Sequence, residues 1–213
     1  MKIKKIGHCC LVIEENGKRI MIDPGKYTTL QNEEKNIDIV LITHEHTDHC
    51  HLESLKEILK NNPNAVILTN HSVGEILKKE GITFFVLKDG EERQEQGILI
   101  RCFGKMHKQV YSNIPQVENT GFSINDKFFY PGDALENFPE KVELVAFPVA
   151  GSWLKLSEVM DWLKQINPKI VFPVHDGLLN EFGLKAFYGN CQKILSETNI
   201  NFKILENNKE EEF

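Results

Sequence analysis

Cysteine is sparse in this chain and falls in no metal-knuckle pattern: the five present (Cys9, Cys10, Cys50, Cys102 and Cys191) form no CxxC pair. An odd, scattered set builds neither a disulfide framework nor a thiolate metal knuckle, and it fits a reducing compartment. Cys50 is expected to pack as a small hydrophobe. Long apolar runs are missing as well. Nothing approaches the roughly 18 residues that span a bilayer, and the N-terminus shows no charged-then-apolar export signal, so the expected location is the cytoplasm with no membrane partner.

Basic charge is also short. Lys and Arg number 25 against 31 Asp and Glu, for a net charge of -6 and a pI near 5.8. Without a basic stripe to displace phosphate counterions, a nucleic-acid partner is not expected. No linker-like stretch and no short repeat interrupts the 213 residues. A single domain over residues 1–206 is the expectation, with 207–213 as a frayed, functionally silent acidic tail.

What the chain does have is alternation. The opening "KIKKIGHCCLVIEENGKRIMIDPG" reads as two strands joined at "ENGK", and "IDIVLIT" reads as a strand buried on both faces. "ESLKEILKNNP" carries Leu55, Ile58 and Leu59 at helical spacing, and "AVILTN" followed by "SVGEILKKEG" repeats the strand-helix pattern, with Ser72 and Glu75 as a capping box. Short strands then follow without helices, in "ITFFVL", "GILIRCF", "GFSI" and "KFFYPGD". The last third alternates again: strand "VELVAFPVA", helix "SEVMDWLKQI", strand "KIVFPVH", a helix from about Leu184 to Glu197, and strand "NFKIL". Two such halves predict sheet layers covered on the outside by helices, an α/β or α+β sandwich.

Four of the eight histidines lie within "THEHTDHCH", directly after the "IDIVLI" strand and before the first helix. A turn at the carboxyl end of a strand is where such folds place ligand sites. Imidazole nitrogen and carboxylate oxygen are ligands for borderline divalent metals, and His44 and His46, one residue apart, can enter one coordination sphere. Asp48 and His49, offset by the turn, would face a second.

"THEHTDH" is similar to the HxHxDH signature of the metallo-β-lactamase superfamily. "GKMHKQV", "FFYPGDA" and "FPVHDG" follow in the order in which that family supplies its later ligands, and the opening hairpin also resembles the family's own. The resemblance implies a four-layer αββα sandwich and two divalent ions, with zinc first and manganese or iron as alternatives. It would place His44, His46 and His107 on one ion, Asp48, His49 and His175 on the other, and Asp133 between them. The implied activity is hydrolysis of a small-molecule ester, lactone or phosphate ester by a metal-bridging hydroxide, with Asp48 as the catalytic carboxylate.

Within the superfamily, "GHCC" and the Asn-x-Gly of "ENTGFSI" resemble the ascorbate-6-phosphate lactonase sub-family. His8 is accordingly a candidate for lining the pocket. Asp23 in "MIDPG" is a candidate acceptor that orients a ligand histidine, against a role as turn former, and Ser152 in "VAGSW" is a candidate substrate donor, against a capping role. His51 and His71 read as bystanders on helix starts. Residues 105–119 and 134–141 read as binding loops.

Three other readings are weaker on residues. A flavodiiron-like oxidoreductase would carry a carboxylate where His46 stands, a ribonuclease Z-like nuclease would need a basic gripping arm, and a penicillin-degrading enzyme would ordinarily be exported. A metal-retaining binding module without turnover stays open. Small soluble enzymes are often symmetric assemblies, so a homo-oligomer is also an option.

Overall fold

The computed structural model describes residues 1–135, 138–139 and 141–213. The first half of the chain builds one sheet from β1 (Lys2–Gly7), β2 (Cys10–Glu15), β3 (Lys18–Ile22), β4 (Ile39–Ile42), β5 (Val66–Thr69) and β6 (Phe85–Val86). The second half builds the other from β7 (Glu92–Glu95), β8 (Ile98–Phe103), β9 (Gly121–Ile124), β10 (Phe128–Tyr130), β11 (Leu144–Pro148), β12 (Ile170–Val174) and β13 (Asn201–Phe202). A last strand, β14 (Glu210–Glu212), returns to the first sheet and pairs with β1.

The two-residue period of the strands decides the layering. On β2 to β4, Leu11, Ile13, Ile20, Ile22, Ile39 and Leu41 face inward and meet Ile98, Ile100, Phe122, Ile124, Phe128 and Phe172 of the opposite sheet. The alternate residues Val12, Met21, Val40 and Ile42 face outward and are covered by Leu55 and Ile58 of α1 (Leu52–Asn61) and Val73 and Leu77 of α2 (His71–Lys79). On the far side, Val145, Phe147 and Val171 are covered by α3 (Leu156–Ile166) and α4 (Glu181–Leu195). The result is the expected αββα sandwich. No helix among the described residues is long and apolar enough to cross a membrane.

β4 runs parallel to β3, and β10 runs parallel to β11 and β12. The loops after β4, β8, β10, β11 and β12 therefore open on the same edge of the sandwich.

Four local expectations need correction. The opening is three strands: His8, at φ +50°, breaks the first run and turns it back on itself between β1 and β2. The cap of α2 is Asn70, whose side chain accepts the Val73 N–H at 3.1 Å, while the Ser72 N–H is taken by Glu118 at 2.8 Å. β7 had no apolar signal because it is a polar strand at the edge of its sheet.

The fourth is the acidic tail. It is an ordered edge strand in register Lys2↔Glu212 and Lys4↔Glu210, so unlike charges sit across the ladder. Phe213 stacks on Phe172 with ring centroids 6.2 Å apart and packs against the inter-sheet core. Truncation after Asn207 should therefore lower stability by about 1–3 kcal/mol, read as a melting temperature roughly 2–10 °C lower. An unchanged melting temperature would show that the strand contributes nothing.

Candidate metal centre

β3 and β4 end side by side, and Asp23, completely buried just past β3, organises the turn that leaves β4. Its Oδ1 accepts the Thr43 N–H at 2.8 Å, and its Oδ2 accepts the Thr43 hydroxyl at 2.7 Å and His49 Nδ1–H at 2.7 Å. With its proton given to Asp23, the Thr43 hydroxyl faces His44 Nδ1 at 3.0 Å as an acceptor. Both Nδ1 atoms are thus donors, which leaves the Nε2 lone pairs of His44 and His49 turned inward.

Tight backbone contacts fix the shelf. A Cβ on Gly25 would stand 1.7 Å from the Asp48 carbonyl oxygen, so the "DPG" turn sits flush against the loop that carries Asp48. Gly25 cannot be replaced without moving that loop.

The second sheet supplies the facing groups. His107 Nδ1 donates to the Lys108 carbonyl at 2.6 Å, leaving Nε2 3.3 Å from Asp133 Oδ2. Asp133 is held by Asn119, whose Oδ1 accepts the Asp133 N–H at 3.0 Å while its Nδ2 donates to the Pro131 carbonyl at 2.8 Å. Gly132, at φ +66°, makes this clamp possible, since a Cβ there would lie 2.4 Å from Asn119 Oδ1. His175, also at positive φ, is pinned by its N–H donating to the His8 carbonyl at 3.1 Å.

The ligand-type atoms converge in two groups. One contains His44, His46, His107 and Asp133, and the other contains His8, Cys9, His49 and His175, each group's atoms lying within 4.8 Å of one another. Asp48 Oδ2 borders the second, 3.5 Å from His175 Nε2 and 3.9 Å from His49 Nε2. Asp133 lies between the groups, with Oδ2 3.1 Å from His175 Nε2 and Oδ1 3.4 Å from His49 Nε2.

These groups fit a cation on their own chemistry. His44 Nε2 and His46 Nδ1 sit 3.2 Å apart although the His44 atom has only a lone pair to offer. Asp133 Oδ1 and both ring nitrogens of His175 are buried with no hydrogen-bond partner among the described residues. Orphaned buried polar atoms cost about 1–3 kcal/mol each, and divalent ions between the groups would satisfy them. Burial holds the His44 imidazole well below its usual range, so it is neutral and ready to ligate. Burial works against ionisation of Asp48, yet the hydrogen bond from His8 outweighs it and holds its carboxyl well below the carboxylate range.

The other predicted residues divide. His8 lines the site: its Nδ1 accepts the Gly177 N–H at 2.9 Å, so Nε2 carries the proton and donates to Asp48 at 3.3 Å. Asp23 is the orienting acceptor of His49. Ser152 is exposed at its turn, and its neighbour Trp153 turns inward instead, 5.3 Å from the His107 ring and 5.9 Å from the His175 ring. His51 caps the α1 entry beside Ser54 and Glu53, and His71 is exposed. Of the second expected loop, Glu136, Asn137 and Glu140 lie outside the described residues. Sequence reasoning missed Thr43, Asn119 and Trp153 as individual residues. Only Asn119 had a signal, in its Asn-x-Gly motif.

Asp23→Asn should turn the His49 ring into its other tautomer, because an amide N–H would face Nδ1. Divalent-metal affinity is expected to fall about 10- to 100-fold, measured by chelator competition. Unchanged affinity would remove Asp23 from its assigned role.

The family profile of the beta-lactamase superfamily domain matches residues 2–175. Protein Rv0786c of Mycobacterium tuberculosis is 28% identical over 210 residues, covering 96% of each chain. A UPF0173 metal-dependent hydrolase of Thermoplasma acidophilum is 26% identical over 189 residues, covering 82% of this chain and 83% of its own. A solved structure of a metallo hydrolase from Ignicoccus hospitalis superposes with a TM-score of 0.75 at 22% identity, over 100% of this chain and 98% of its own. With its two-sheet sandwich, its HxHxDH shelf and the profile spanning both, the chain belongs to the metallo-β-lactamase superfamily.

Proposed function

We propose that the protein is a metal-dependent hydrolase with two divalent ions, one at His44, His46 and His107 and one at Asp48, His49 and His175, sharing Asp133. Its substrate class is a small-molecule lactone or ester, met in the cytoplasm. The observation that carries this reading is Asp133, a single buried carboxylate whose Oδ2 stands 3.3 Å from His107 and 3.1 Å from His175, one imidazole from each set. The relative from Thermoplasma acidophilum described as a metal-dependent hydrolase supports a metal-dependent hydrolysis. Zinc suits these donors best, and manganese and iron also take them.

When bound, such ions polarise the bond under attack and bring the pKa of water towards neutrality. The chain's own residues hold and orient. His8 Nε2–H fixes Asp48, whose side chain is 21% exposed, leaving a carboxylate oxygen at the mouth to receive a proton. Trp153 walls the site over His107 and His175, and Tyr27, its ring 4.4 Å from that of His8, forms the opposite rim.

A cavity of about 390 Å³ lies against the chain neighbours of His107 and Asp133, walled by Met106, Lys108, Ala134, Glu158, Asp161 and Trp162. That is the size of a small-molecule seat. Lys108 is paired to Glu158, and Asp161 adds a further negative charge. This wall favours an uncharged lactone or ester over a phosphate ester or RNA.

Metal analysis of protein purified without added metal or chelator, run beside a panel of lactones, carboxylic esters and a phosphodiester, tests the reading. About two ions per chain, activity lost on chelation and preference for a lactone or ester are expected. Trace metal with no turnover after adding zinc or manganese would favour a binding module. Asp48→Ala should cut turnover by about 10²-fold or more while the melting temperature stays within a few degrees. Unchanged turnover would remove Asp48 from the machinery.

A further inference from the structure

β2 begins beside the metal groups, and its approach is unusual. The ladder between β1 and β2 shifts register between Lys5 and Gly7, and His8 follows at φ +50°. Such irregularities re-aim side chains. Here the side chain re-aimed is that of Cys9, which is completely buried with its Sγ 3.5 Å from His49 Nε2.

The side of His49 that the thiol meets decides its meaning. Nδ1 of that ring is the donor to Asp23, so Nε2 is the atom with the lone pair turned to the site. Cys9 therefore lies on the ligand side of His49. Its sulfur, His49 and His175 each present an atom to one space within 4.8 Å of the others. His175, 3% exposed, has neither ring nitrogen in a hydrogen bond among the described residues, its Nε2 standing 3.1 Å from Asp133 Oδ2 without hydrogen-bond geometry, so a buried polar side chain is aimed into that space with its lone pair uncommitted. His8, the remaining member of the group, is not free to ligate, because its Nε2 carries the proton given to Asp48.

We propose that Cys9 is a further ligand of the ion held by His49 and His175, and that this sulfur makes the position selective for a thiophilic ion such as zinc over manganese. The proposal rests on the two-ion reading. A sulfur and an imidazole nitrogen at about 2.3 and 2.0–2.1 Å from one zinc lie roughly 3.5 Å apart when the angle between them is near tetrahedral, which is the separation seen between Cys9 and His49. As the sulfur–metal bond forms, the S–H proton passes to solvent, and no oxidation state changes. Carboxylate and imidazole alone suit manganese as well as zinc, whereas thiolate does not.

The test is to strip the purified full chain with a chelator, reload it with cobalt(II), and record the near-ultraviolet and visible spectrum. A sulfur-to-cobalt charge-transfer band of one-thiolate intensity is expected, lost in Cys9→Ser and Cys9→Ala while the visible cobalt bands remain. In Cys9→Ser, zinc affinity at the position of His49 and His175 should fall about tenfold or more with manganese affinity little changed. A cobalt-loaded wild-type protein without the charge-transfer band overturns the proposal and leaves the two-ion reading standing. A band that survives in both variants overturns it too, by assigning the sulfur elsewhere. A wild-type chain that takes up no cobalt overturns both. Absence of the band in the wild-type chain overturns the proposal even if a variant fails to fold, and two variants are made so that one folded protein can assign a band that is present.

Discussion

The buried carboxylate of Asp23 is the constraint on which the rest of the site depends. It lies at the end of one strand, faces the end of the next, and has both oxygens committed to Thr43 and His49. Through the Thr43 hydroxyl it sets the proton position on His44 as well. The tautomers of two candidate ligands on one sheet are thereby fixed by a single residue that belongs to neither candidate group. Removing it would leave the Thr43 N–H without its partner in a site closed to water. Asn119 plays the corresponding part on the other sheet, holding Asp133 through its own backbone.

Much of this was legible in the sequence, for a definite reason. The strands of the inter-sheet core are runs of Ile, Leu and Phe whose alternation survives without any knowledge of partners, and "THEHTDH" is contiguous, so its chemistry shows as spacing. Asp23 was half legible, since "DPG" signals a turn equally well. His8 gained its meaning only from Gly177, 169 positions away. Trp153 and Ser152 are adjacent on a turn, and no local pattern says which of the two faces inward.

The elements that escaped share a physical cause. β7 and β14 are held by backbone ladders at the rims of their sheets, where side chains meet water and need no apolar period. Charge there guards an open edge against pairing with other chains, and the same charge makes the segment resemble a disordered tail. Composition reports burial, and a rim strand has little burial to report.

The ligand atoms come from both sheets. His44, His46, Asp48 and His49 belong to the first, and His107, Asp133 and His175 to the second, with Asp133 in reach of both groups. An ion in either place would thus be a clasp across the mouth of the sandwich, joining layers that elsewhere in the middle of the molecule meet largely through greasy side chains. Chemistry and mechanical closure then share one fastening. Loading the site would tie the two halves of the chain together at the end where the loops that carry the candidate ligands open.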